Sequence, residues 1–214
     1  VAMNGAGVIH DVELALAGKT SEDVAARLPD GSFGMARETA RFVHGALADG
    51  VPAGLGFGAS VGKAIASSKA RYRKKSLLGE AYRLGVPVTV HVAVGADIVH
   101  MHPEADGATI GEGSLRDFRT FCSLVAGLSG GVYVNVGSAV ILPEVFLKAV
   151  SVARNLGHPL SRITTVNMDF LRQYRPDVNV VKRPTQGGGK GYHLIGPHEI
   201  LFPLLMAAIA ERRG

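Results

Sequence analysis

The most constraining stretch of this sequence is the apolar run from Val86 to Val94 (VPVTVHVAV). Its apolar residues occupy positions that point to both faces of a strand, which is typical of a strand buried between helices in a parallel sheet. Gly131–Val136 and Arg162–Asp169 share this character, and Val178–Val181 is a shorter example. We therefore expect a strand in each of these four ranges.

Helical spacing separates the predicted strands. Val8, Val12 and Leu16 share one face of a helix predicted over Val8–Ala17, which Gly18 ends. Thr20 is the predicted start of another helix. The remaining helices are predicted over Met35–Leu47, Lys75–Leu84, Ser114–Leu128 with Ser114 as its cap, Pro143–Leu156, and Pro197–Arg213 with a kink at Pro203.

Strands that alternate with helices predict an α/β fold with an open, mainly parallel sheet and helices on both faces. No linker or internal repeat interrupts the pattern, so we expect a single domain over residues 1–214. Val1–Gly7 has the character of a buried strand that runs into a glycine turn. We therefore expect further strands upstream of Val1.

Composition narrows the classes of partner and compartment. The chain has one cysteine, Cys122, so a disulfide framework is excluded and a reducing, cytoplasmic compartment is expected. No apolar run reaches the roughly 20 residues of a membrane span. The net charge is +5, but the densest basic run, residues 69–75, contains a single aromatic residue, Tyr72. We expect no nucleic-acid partner, because nucleic-acid sites interleave lysine and arginine residues with aromatic residues.

Glycine and polar residues follow several of the predicted strands. In open α/β sheets, ligands bind beyond the carboxyl ends of the strands. The residues predicted to contact a ligand there are Asn4, Gly5, Gly7, Gly95, Asp97, Gly137, Ser138, Asn167 and Asp169. Phosphate groups would bind at the N-termini of the helices that follow Gly7 and Gly137. The dinucleotide fingerprint itself is incomplete, because no third glycine follows Gly7 at the required spacing.

Histidines and one lysine are the candidates for chemistry. His10, His91, His100 and His102 lie in or near the predicted site loops, with carboxylates beside them. Three interpretations stay open: proton transfer or substrate contact, histidines satisfied by backbone, and a metal site, although no standard zinc pattern is present. Lys190 lies in a glycine-rich segment, Gln186–Gly191, which we predict to be a flexible loop. In such a loop a lysine is an amine nucleophile, an anion contact or simply a surface residue, and these alternatives stay open.

Several segments together resemble deoxyhypusine synthase, an NAD-dependent aminobutyl transferase. The matching segments, in chain order, are Met3–Asp11, Pro87–Met101, Gly137–Ile141, Gly189–Lys190 and Phe202–Leu205. They span nearly the whole chain. The resemblance implies a Rossmann-like NAD-binding fold, NAD as cofactor, a homo-oligomer that is a tetramer, and an amine substrate.

The resemblance also implies roles for particular residues. Lys190 matches the lysine that carries the aminobutyl group, while His10 and His100 stand where the family has acids that hold a polyamine. Pro143 stands where the family has its catalytic histidine, with Glu144 beside it. Because imidazoles replace carboxylates, we expect an amine other than spermidine. Two alternatives remain: a metal-dependent hydrolase or lyase that uses the His100/His102 loop, and a non-catalytic nucleotide-binding relative.

Overall fold

The computed structural model describes residues 1–20 and 22–212. The chain forms two compact units, Val1–Phe121 and Cys122–Gly214, which we call the first and second unit. The fold class is α/β, with small parallel sheets and helices on both sides of them. Within the described ranges, no helix combines the length and apolarity that a membrane crossing requires. The single domain expected from the sequence stays a prediction.

The first unit is built around two short parallel strands. Strand β1 (Ala2–Asn4) pairs with β2 (Thr89–His91). The helices around them are α1 (Gly5–Ala17), α2 (Val24–Arg27), α3 (Arg37–Gly50), α4 (Phe57–Ser67), α5 (Leu77–Arg83) and most of α6 (Gly107–Ala126), with 3-10 turns at Arg73–Lys75 and Ile98–Met101. Val12, Val43, Leu47, Phe57, Ile65 and Val90 form the centre of its core. The predicted helix Val8–Ala17 and its glycine stop are confirmed, since Gly18 adopts a left-handed φ of 74°.

Side chains of α6 occupy the edge of β2 that β1 does not pair. The N–H of Val90 donates to Asp117 Oδ2 at 2.7 Å, and the Ser114 hydroxyl donates to the carbonyl of Val90 at 3.0 Å. Asp117 Oδ2 also accepts the N–H of Gly58, in the first turn of α4, at 2.8 Å. One carboxylate therefore joins β2, α4 and α6, and it satisfies backbone groups that would otherwise be buried without partners.

The start of α6 differs from the sequence-based expectation. Ser114 lies inside the helix, where it bonds β2, and is not its cap. Asp106 accepts the N–H groups of Ala108 and Thr109, at 3.3 and 3.0 Å, and caps a helix that begins two turns earlier. The first two turns contain Gly107, Gly111 and Gly113, and glycine has a low helix propensity, so the sequence did not indicate a helix there. A Cβ on Gly113 would lie 3.2 Å from Val51 Cγ2, so close packing favours glycine there.

The second unit contains a three-stranded parallel sheet in the order β3-β4-β5. Its strands are β3 (Val132–Val136), β4 (Thr164–Asp169) and β5 (Lys190–Ile195). Its helices are α7 (Ile141–Asn155), α8 (Tyr174–Pro176), a π-helical segment Asp177–Lys182, a 3-10 turn Arg183–Thr185 and α9 (His198–Glu211), with Pro203 inside α9. The predicted strands near residues 131–136 and 162–169 are confirmed.

Three sequence-based predictions are wrong. Val178–Val181 forms the π-helical segment rather than a strand, because the helical turn that begins at Tyr174 continues directly into it and Val180 and Val181 are buried. Lys190 opens β5 instead of lying in a loop. Only Thr89–His91 of the long apolar run is strand, since β1 offers three pairing positions.

The helix expected to start at Thr20 also begins later. Helix α2 starts at Val24, and the Asp23 side chain accepts the N–H of Ala26 at 3.1 Å. Ser21, which belonged to the predicted start, lies outside the described residues.

The buried carboxyl of Asp117 predicts a pH-dependent stability. Burial raises the pKa of Asp117 to about 6, against the opposing effect of its two N–H donors. Its contribution to the free energy of unfolding is therefore greatest below about pH 4 and is lost as the pH rises through about 6. A shift of this size corresponds to about 3 kcal/mol. Urea unfolding at about pH 4 and about pH 7 should show this decline in the wild type and not in Asp117→Asn.

Asp49→Asn is the matched control, because Asp49 is exposed on α3 and the substitution removes the same charge. It should keep the wild-type dependence on pH. Identical pH profiles for Asp117→Asn and the wild type would contradict the assignment.

Candidate functional site

The first unit brings several predicted site residues together where β1 enters α1. Asn4 caps the helix, and its Oδ1 accepts the N–H of Gly7 at 3.0 Å. Asp97 reaches the same helix start, since a Cβ added to Gly5 would lie 2.0 Å from Asp97 Oδ2. Glycine at position 5 is thus required by the close approach of this carboxylate. Strand β1 and the loop after β2 therefore meet, but the sequence predicts all of the strand-end loops at one sheet edge, and those after β3 and β4 belong to a different sheet.

The carboxyl group of Asp97 is buried, and one of its oxygens has no hydrogen-bond partner among the described residues. The residue is 6% exposed, and the oxygen without a partner is Oδ2. Burial raises the pKa of Asp97, while His100 and the backbone of Ala6 and Ala93 act in the opposite direction. His100 Nδ1 lies 4.0 Å from Asp97 Oδ2 and accepts the N–H of Gly95 at 3.3 Å. A buried carboxylate oxygen without a partner is a strong acceptor for a ligand N–H or O–H.

A cavity of about 320 Å³ adjoins this carboxyl. Its apolar walls include Ile9, Val24, Phe33 and Ile98, and its charged or titratable side chains are His10, Glu13, Glu22 and Asp97. This volume is at the lower end of the range for small-molecule sites. The mixture of apolar walls and carboxylates suits a small organic cation.

Sequence reasoning missed Glu13, Glu22 and Phe33. Glu13 was detectable in principle, because it lies three residues after His10 on the same helix face. Glu22 and Phe33 reach the cavity from the segment around α2, where no local pattern marks them. The N–H of Gly34 donates to Glu22 Oε2 at 3.0 Å, and this bond orders the segment.

The remaining histidines of the first unit have structural partners. His44 Nε2 lies 2.9 Å from the carbonyl of Val99, and His102 Nδ1 accepts the N–H of Glu104. His91 is buried against Phe121, and burial lowers its pKa to about 4, so it is neutral at physiological pH. Over the part of the chain that the structure describes, no group of three His, Cys, Asp or Glu side chains is placed to hold a metal ion.

The second unit gathers a separate group of predicted residues at the carboxyl edge of its sheet. The N–H of Gly137 donates to the carbonyl of Met168, and Asn135 Nδ2 donates both to Asn167 Oδ1 at 2.8 Å and to the carbonyl of Ser138 at 2.9 Å. Asp169 is 4% exposed and ends β4 at the same edge. Asp169 Oδ1 accepts the N–H of Phe170 at 2.8 Å, and Asn167 Nδ2 is buried without a hydrogen-bond partner among the described residues.

Lys190 and Glu144 are not part of that group. Lys190 pairs with Thr164 at the amino end of β4, about five residues or roughly 17 Å along the strand from Asp169. Glu144 accepts hydrogen bonds from Lys148 at 2.5 Å, Arg175 at 2.7 Å and Asn179 at 2.7 Å. The bonds from Lys148 and Arg175 hold its pKa below the usual range. Glu144 thus ties α7 to α8 and the π-helical segment.

The two helix starts expected to bind phosphate do not fit a pyrophosphate. At α1, Asn4 already takes the N–H of Gly7, and the Asp97 carboxyl adds negative charge. At α7, Ser138 Oγ accepts the N–H of Leu142 at 3.2 Å, and Pro143 has no N–H. Anion sites at helix N-termini need free N–H groups. NAD stays a prediction of the resemblance.

Comparison with protein-family models, curated proteins and solved structures gives no match. The function proposed below therefore rests on the geometry of the chain itself and on the resemblance of its motifs.

The pKa of Asp97 is a direct test of this geometry. Its carboxyl should titrate above the ordinary value of 3.8, because burial disfavours the charged form. Replacing His100 by Ala should raise the pKa further, since the favourable electrostatic effect of His100 on the carboxylate is removed. Carboxyl ¹³C NMR titration of both proteins measures the effect. A value at or below the ordinary one in the wild type would contradict the buried, unpartnered carboxyl.

Proposed function

We propose that this chain acts on a small organic amine bound in the cavity beside α1, as a divergent transferase of the deoxyhypusine synthase type. One observation carries the proposal: the buried, unpartnered Oδ2 of Asp97 at a cavity that also has Glu13 and Glu22 in its lining. A carboxylate oxygen buried in this way gains most from a charged N–H donor.

The charge of the cavity lining selects the ligand class. The lining contains three carboxylates and one histidine, and no lysine or arginine is among the described residues that form it. An anionic ligand would be repelled, whereas an ammonium group gains from each carboxylate. The apolar walls favour an alkyl or aryl chain attached to the amine. The resemblance placed histidines where the family has acids that hold a polyamine. In the structure, carboxylates from other positions, Glu13, Glu22 and Asp97, line the cavity.

The finer features of the proposal come from the resemblance. They are a Rossmann-like arrangement of the sheets, assembly as a homo-oligomer and use of NAD. The cytoplasmic location is instead expected from the single cysteine. The resemblance also assigns the covalent step to Lys190. Because Lys190 is exposed and lies at the amino edge of its sheet, an imine there requires that the oxidised substrate carbon reach that edge.

Three probes of similar shape test the ligand class: butylamine, 1-butanol and butyrate. Each is titrated into the full chain, and the backbone amides are followed by ¹⁵N NMR. We expect butylamine to shift the amides of Ala6, Ala96 and Ile98 saturably, 1-butanol to bind at least tenfold more weakly, and butyrate not to bind. The reason is that only butylamine offers a positive charge to Asp97.

Asp97→Asn should weaken butylamine binding by about tenfold or more, as expected when a charged hydrogen bond becomes a neutral one. Asp49→Asn removes a carboxylate from an exposed position on α3 and should bind like the wild type. Equal affinities for butylamine and 1-butanol, or shifts centred elsewhere in the chain, would contradict the proposal.

A further inference from the structure

Two short hydrogen bonds connect three side chains at one wall of the cavity. The hydroxyl of Thr20 donates to Glu13 Oε2 at 2.5 Å. The same Thr20 Oγ1 lies 2.5 Å from Nδ1 of His10. His10 and Glu13 line the cavity, whereas Thr20 is not among the described residues that form it. The arrangement is therefore a carboxylate, a hydroxyl and an imidazole in sequence.

The local sequence explains how these residues meet. His10 and Glu13 lie three residues apart on one face of α1. Gly18 then ends the helix with a φ of 74°, which turns the chain back so that Thr20 returns to that face. Tyr72 packs against this turn. A Cβ on Gly18 would lie 2.7 Å from the Tyr72 ring, and the N–H of Tyr72 donates to the carbonyl of Ala15 at 3.1 Å.

The protons of this chain can be assigned from the donor inventory. Threonine has one hydroxyl hydrogen, and the bond to Glu13 uses it. Thr20 Oγ1 is therefore an acceptor toward His10, and Nδ1 of His10 must be the donor. In the neutral imidazole, Nε2 then carries the lone pair. The side chains of Glu13 and Thr20 thereby determine which ring nitrogen of His10 is able to accept a proton.

We propose that Glu13 and Thr20 are positioning residues that hold His10 in its Nδ1–H form, so that Nε2 accepts a proton from the amine bound in the cavity. The inference rests on the proposed function for the identity of the proton donor. An N–H bond of the ammonium breaks, an Nε2–H bond forms, and the products are a neutral amine and an imidazolium. The Glu13 carboxylate, acting through Thr20, balances the new positive charge.

A neutral amine is the form needed for chemistry at its nitrogen or at the neighbouring carbon, because an ammonium has no lone pair. The other titratable groups that face the cavity are Glu22 and Asp97. Both are carboxyl groups, whose negative charge attracts the ammonium. His10 supplies the imidazole of this lining, and imidazole is the side-chain group most often used to accept a proton in catalysis.

The tautomer of His10 tests the proposal without any substrate. Ring ¹⁵N NMR of the full chain, at a pH where His10 is neutral, should show the Nδ1–H form. Thr20→Val removes the hydroxyl at similar volume and should shift the tautomer ratio by about fivefold, the equivalent of one ordinary hydrogen bond. Thr20→Ser keeps the hydroxyl and should restore the wild-type ratio. Thr109→Val, in the first turn of α6, is the control and should leave His10 unchanged.

An Nε2–H form in the wild type, or a Thr20→Val spectrum like that of the wild type, would overturn the proposal. Butylamine titration separates this result from the proposed function. Failure of the wild type to bind butylamine overturns the amine as proton donor, whatever the tautomer of His10.

Discussion

The first unit depends on one buried carboxylate. Asp117 extends from α6 to the unpaired edge of β2 and to the first turn of α4, and its Oδ2 accepts the N–H groups of Val90 and Gly58. A Cβ at Gly58 would lie 2.1 Å from the carbonyl of Val88, so these elements approach closely only because that residue is glycine. Without the carboxylate, two buried backbone donors would lose their partners, at about 1–3 kcal/mol each. The position of β2 is fixed by this contact as much as by its pairing with β1.

The candidate site follows from the position of β2. The chain leaves this strand, passes Gly95 at a φ of 91°, and directs Asp97 onto the start of α1. There the carboxyl takes the place that an anionic ligand would take at a free helix N-terminus. A helix start that would suit phosphate thereby becomes the wall of an acidic cavity, which is why the proposed ligand is a cation and not an anion. His10 and Glu13 lie farther along α1, and Thr20 follows the end of that helix; in the proposal His10 is the proton acceptor that the other two hold in place.

Local patterns predicted the elements whose signals are local. Helix α1 and its stop at Gly18, the strands around residues 132–136 and 164–169, and the meeting of Asn4, Gly5 and Asp97 all follow from periodicity and from glycine at strand ends. The errors came from tertiary packing. The first turns of α6 are rich in glycine, which has a low helix propensity, so the sequence did not indicate them. The helical turn that ends at Pro176 and the burial of Val180 and Val181 favoured a π-helical segment over a strand. Glu22 and Phe33 enter the cavity through a long-range approach, which single-sequence patterns do not encode.

The central claim is that the cavity beside α1 binds an organic ammonium through Asp97. Crystals of the full chain grown with 4-bromobenzylamine test it most directly, because the anomalous signal of bromine locates the ligand independently of any assumed pose. The account predicts the bromine among the apolar walls near Phe33 and Ile9, with the ammonium nitrogen within hydrogen-bonding distance of Asp97 Oδ2. Bromine at another site with this cavity unliganded, or an ammonium directed away from Asp97, would contradict it.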